Sequence, residues 1–165
     1  MWFFMISCYI LTLISFFFFI LNALQGYFQF KIFAANHSAF ALLTIMIYLF
    51  TETLIIFYFV GIGISIKEYT ADNKLSHHFH QRSLKIKRWV YPPILLNILL
   101  FMILFISGGA VDTNHMPGWL HGLLFYICFF HFIKMTRLEH RAFQESTSIV
   151  LEMSGVRPHG ITKNA

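Results

Sequence analysis

Four long apolar runs, with nearly every charge of the chain placed between or after them, constrain what this sequence can fold into. The runs cover about residues 2–24, 39–66, 89–107 and 118–135. A helix of about 20 apolar residues matches the hydrocarbon core of a bilayer, so each run reads as a membrane-crossing helix. The apolar residues run on continuously instead of alternating, which argues against barrel strands. The expected fold class is therefore all-α: an integral membrane four-helix bundle, with a cytoplasmic helical extension at its C-terminal end. Only 12% of the residues are charged, about half the share of an ordinary soluble domain. Four crossings in 165 residues leave no room for a separate globular domain. Residues 1–153 are thus read as one unit that includes a tail helix over 136–153, followed by a disordered tail at 154–165.

The basic residues set the expected orientation. Lys67, Lys74, Arg82, Lys85, Lys87 and Arg88 lie between the second and third runs, and Lys134, Arg137, Arg141, Arg157 and Lys163 follow within or after the fourth. The other two connections hold only Lys31 and Asp112. By the positive-inside rule both termini are cytoplasmic, and the expected location is a bacterial inner membrane. Trp2, Trp89 and Trp119 fall at the run ends, where an amphipathic indole favours the interface. The net charge of +5 follows from this bias and from attraction to anionic lipid, so it calls for no nucleic acid. The first run lacks a basic start and an A-x-A site, and it outlasts a signal-peptide core, so it is expected to stay as a span. Cys8 and Cys128 sit within spans and are read as small core residues without a disulfide.

Polar residues inside spans mark the faces sheltered from lipid. In the second run His37, Thr44, Thr51, Tyr58 and Ser65 recur every seven residues, with Tyr48 and Glu52 beside them. Cys8, Ser15 and Asn22 repeat the device in the first run. Gly61 with Ser65, and Gly118 with Gly122, have the small-xxx-small spacing of close helix contacts. Pro92 and Pro93 read as a helix-entry device, because a missing N–H costs little there. His77, His78 and His80 are expected in a solvated basic loop. Residues 136–153 are expected either along the membrane surface or docked on a partner.

Two constellations carry chemistry. Glu52 falls near mid-span, where a bare carboxylate is costly, so it needs a proton or polar partners. Tyr48, Thr51, Asn97 and Cys128 are placed at similar depth. The second constellation is histidine: His37 and His121 lie at matching depth near the same membrane face, as two axial ligands of a b-type haem would. With Asp112 and His115 they could instead bind a transition metal. His131 lies deeper, off the His121 face.

There is no P-loop, no G-x-G-x-x-G after a strand and no C-x-x-C, so no catalytic set is assigned. Three readings follow. The first is a small subunit or accessory factor of a larger membrane assembly, with other membrane subunits or a second copy as partners. The second is a b-type cytochrome exchanging electrons with a quinone. The third is a proton-coupled carrier or sensor using Glu52.

Overall fold

A computed structural model describes residues 2–32 and 34–155. It is all-helical, with four helices: α1 (Trp2–Phe28), α2 (His37–Asp72), α3 (His78–Asp112) and α4 (Gly118–Met153). Each is long and apolar enough to cross a membrane. At 1.5 Å per residue, α2, α3 and α4, of 36, 35 and 36 residues, are each over ~50 Å long against a ~30 Å hydrocarbon core. The 27 residues of α1 make ~40 Å. Consecutive helices pack along their length in an up-down-up-down order, while α1 and α4 approach only locally. The α1–α2 and α3–α4 connections lie together at one end, called the loop end below. The α2–α3 connection and the termini mark the basic end.

Local chemistry explains the helix boundaries. Asn36 caps α2 by accepting the Ala39 N–H at 3.0 Å on its side-chain oxygen. This satisfies one of the free N–H groups of the first turn. Just before it, Ile32 and Ala35 exchange backbone hydrogen bonds, and the buried Gln25 side chain donates to the Ala35 carbonyl at 2.9 Å. Asn114 ends the α3 side with a left-handed φ of 58°, which Asn tolerates better than most residues.

The core consists of two apolar clusters with a polar layer between them. Toward the loop end, Phe19, Ile45, Tyr48, Phe101, Leu104, Cys128 and Phe132 pack together. Toward the basic end, Ile55, Phe59, Ile62, Val90, Ile94, Ala142, Phe143 and Ile149 form the larger cluster. Ser15, Thr51, Glu52 and Asn97 lie between them and are all buried. The large aliphatic and aromatic residues of the outer surface, such as Phe3, Met46, Leu99 and Phe130, are exposed. Such a surface suits lipid tails and would not suit water.

Several expectations need correction. Pro92 and Pro93 do not begin a helix; they lie inside α3, which starts at His78. The turns on both sides of the prolines are held by packing, since Val90 and Ile94 are fully buried. The Arg88 and Trp89 carbonyls lose their usual partners there, a loss that packed helices tolerate. The histidine group is not in a loop: His77 caps α3, and His78 and His80 are in its first turn.

Residues 136–153 continue α4 without a break. They do not peel onto a surface, because Glu139, Ala142, Phe143, Ser146 and Ile149 are buried in the bundle. Residues 156–165, expected as a disordered tail, lie outside the described residues.

The small-residue pairs do not bring backbones close, and a Cβ on Gly118 would meet Val111 Cγ1 at an ordinary 3.8 Å. A Cβ on Gly61 or Gly122 would meet nothing within 4 Å, whereas one on Gly63 would collide with the Lys87 side chain and approach Ser83 Oγ at 3.2 Å. Ser65, last of the seven-residue series, is exposed. A seven-residue step drifts about 20° around a straight helix, so a long stripe leaves the buried face.

Candidate functional site

Two sites emerge from the buried polar residues. The first is at the loop end. His37 opens α2 and His121 lies one turn into α4, and their ring centres are 6.4 Å apart with planes at 81°. Gly26 of α1 sits against one ring and Gly108 of α3 against the other. A Cβ at Gly26 would come to 3.2 Å from His37 Cε1, and one at Gly108 to 3.4 Å from His121 Cε1. The two imidazoles border a cavity of about 1070 Å³ that all four helices line, with Phe19, Phe101, Leu104 and Phe105 among its apolar walls.

One assignment of protons around His121 satisfies both contacts of the Ser107 hydroxyl. Ser107 Oγ donates to the Leu104 carbonyl at 2.7 Å, so it accepts from His121 Nδ1 at 2.8 Å. The proton is then on Nδ1, and Nε2 carries the free lone pair. Fixing one ring nitrogen by a hydrogen bond is how proteins prepare the other as a ligand. On the opposite side, His37 Nδ1 is buried without a partner, as is Asn22 Oδ1, and both residues line the cavity.

The remaining members of the expected metal set do not converge. Asp112 Oδ2 accepts a hydrogen bond from Ser38 Oγ at 2.6 Å, tying α3 to the start of α2. His115 is exposed and turns to Thr113, with Nδ1 3.0 Å from its hydroxyl. Among the described residues no three His, Cys, Asp or Glu side chains gather as metal ligands.

The second site is the polar layer. Glu52 is 1% exposed and is held by three helices. Asn97 Nδ2 donates to Tyr48 Oη at 2.8 Å and to Glu52 Oε1 at 3.5 Å. Asn97 Oδ1 meets His131 Nδ1 at 2.8 Å, which brings the deep histidine into the same network. Thr51 and Cys128, expected beside Glu52, turn elsewhere. Thr51 meets Ser15 at 3.2 Å, and Cys128 Sγ donates to the Leu100 carbonyl at 3.5 Å.

Glu139 completes this layer and was not singled out in the sequence. Its carboxyl, 3% exposed, lies within hydrogen-bonding reach of that of Glu52, although neither ionised acid can donate to the other. Lys134 and Arg137 flank it and made this stretch read as cytoplasmic. A signal did exist: Phe132, Glu139 and Ser146 are seven apart, as are Cys128, Met135, Ala142 and Ile149. Both series are buried in the structure, which marks one inward face running through the charges.

No family model, curated protein or solved structure matches the chain. The functional argument therefore rests on the geometry of these two sites.

Proposed function

We propose that the chain is a small b-type electron-transfer protein of the membrane, with His37 and His121 as the axial ligands of one haem. The observation that carries this reading is the 6.4 Å separation of the two imidazole centres. A metal–nitrogen bond of about 2 Å on each side, plus a little over an ångström from nitrogen to ring centre, separates two imidazoles by about 6 Å when one ion stands between them.

Haem fits this donor set better than a bare ion does. A bare transition metal takes three or more protein ligands, and only two converge here. A haem iron brings its four equatorial nitrogens with it and asks the protein for two. It also needs apolar space, and the adjoining 1070 Å³ is at the upper end of the range for ligand pockets. Gly26 and Gly108 let the rings sit close to the α1 and α3 backbones, and Ser107 holds His121 in the ligating tautomer.

A single haem stores one electron, so the protein needs a donor and an acceptor. Both belong to the membrane: a quinol in the lipid phase, and a larger assembly of which this chain is a subunit. A bacterial inner membrane with both termini cytoplasmic is part of the same proposal, supported by the distribution of Lys and Arg.

The test is an absorption spectrum of protein purified from cells supplied with haem. The expected result is a Soret band that shifts on reduction and falls to background in His121→Ala and His37→Ala. A colourless wild-type protein, or a band that survives both substitutions, overturns the proposal.

A further inference from the structure

The Glu52–Glu139 pair lies away from His37 and His121, beyond the Phe19–Phe101 stack whose ring centres are 4.3 Å apart. Electron transfer at the loop end does not need it. Yet these are the two most expensive side chains in the bundle core. Glu52 Oε2 and Glu139 Oε1 are both buried, and each lacks a donor if both acids are ionised. Neither acid is matched by a cation, since Arg82–Glu152 is the one ion pair among the described residues. Two adjacent, unmatched carboxylates in a low-dielectric layer repel each other strongly. One proton between them removes the repulsion and supplies the missing donor.

We propose that Glu52 and Glu139 form a proton-binding site, a carboxyl pair that holds one proton and exchanges a second with solvent at the basic end of the bundle. The polar and titratable groups facing the pair come from every helix. Cys8 and Tyr9 lie within electrostatic range of Glu139 from α1, Tyr48 is on α2, Asn97 on α3, and His131 lies behind Asn97 on α4. None of these is a permanent cation, so the charge of the pair is set by its own protons.

Access is asymmetric. Toward the loop end, Phe19, Tyr48, Phe101 and Phe132 form an aromatic plug with ring centres 4.3–6.1 Å apart. Toward the basic end, a cleft of about 680 Å³ reaches in to Tyr9. The Tyr9 hydroxyl lies 2.8 Å from Nδ1 of the exposed His140, and Tyr9 is within electrostatic range of Glu139. On uptake, an O–H bond of hydronium breaks and an O–H bond forms on Glu139. The pair goes from one negative charge to none, and release reverses the step.

Infrared spectroscopy of the purified full chain tests this, because it reads the carbonyl stretch of a protonated carboxyl directly. In wild type the band is expected at neutral pH, to shift in D₂O and to double in intensity on acidification. In Glu52→Gln or Glu139→Gln it remains at single intensity with no second step, and in the double variant it disappears. A wild-type band that is absent, or that neither changes with pH nor shifts in D₂O while the protein stays folded, overturns the proposal. The wild-type measurement decides even if a variant fails to fold. It is also independent of haem: a colourless protein with the doubling band would leave this site standing and remove only the cytochrome.

Discussion

The loop end of the bundle and its central polar layer bury polar groups in opposite ways. At the loop end His37 and Asn22 have unpartnered atoms on the wall of a large cavity. Further in, neighbouring carboxyls of Glu52 and Glu139 each bury an unpartnered oxygen. Both arrangements are costly without something more, because a buried polar atom lacking a partner forfeits about 1–3 kcal/mol. The missing partner differs in size: empty volume beside a free lone pair suits a ligand as large as haem. Between two neighbouring carboxyls a single proton is enough.

The largest expected effects attack the loop end. Gly26→Val places branched carbons where the His37 ring stands, since even a Cβ there comes to 3.2 Å. The haem-to-protein ratio is expected to fall several-fold while the melting temperature changes little. An unchanged ratio would show that His37 is not held by this contact.

A paired truncation measures the contrast in packing. Phe143 is 2% exposed and stacks with Phe59 and Tyr58 at 5.1 and 4.8 Å, so Phe143→Ala is expected to cost about 3–5 kcal/mol of stability. Phe105 lines the cavity and has already lost contacts on that side, so Phe105→Ala is expected to cost about 1 kcal/mol. Thermal unfolding in detergent gives both values. Equal losses would erase the distinction between a packed end and a hollow one.

The smallest effect is at the extremity of the basic end. Arg82 donates to Glu152 at 2.6 Å, and Ser148 donates to the same carboxyl at 3.0 Å. These groups lie beyond the apolar runs. The Arg82 hydrogen bond holds the Glu152 carboxyl below its ordinary value. The stabilisation is therefore present above the usual carboxylate range and is lost as the pH falls through the lowered value. Both side chains are part-exposed, at 25% and 35%, so Glu152→Gln is expected to cost under about 1 kcal/mol. The loss should appear at neutral pH and vanish at acidic pH in unfolding curves of the two proteins.

How far each feature was legible depended on whether its signal was local. The stripe of Thr44, Thr51 and Tyr58 beside Tyr48 and Glu52 marks the buried face of α2, because helical spacing alone puts those residues on one side. Where an inward face continued among charges, the local signal misled. Lys134 and Arg137 made the fourth span seem to end at Met135, although α4 goes on burying every third or fourth residue to Ile149. The prolines misled for the same reason: a helix-start preference says nothing about a helix clamped by its neighbours.

The sequence by itself determined four apolar helices and an inward-facing Glu52. Length, hydropathy and periodicity are properties of one segment at a time, and they suffice for that. Only the tertiary structure decided that Glu139 stands against Glu52, that Asn97 joins Tyr48 to His131, and that His37 and His121 share a cavity while His115 does not. These pairings depend on helix register and on which faces meet, and both are set by packing among all four helices, which no single segment encodes.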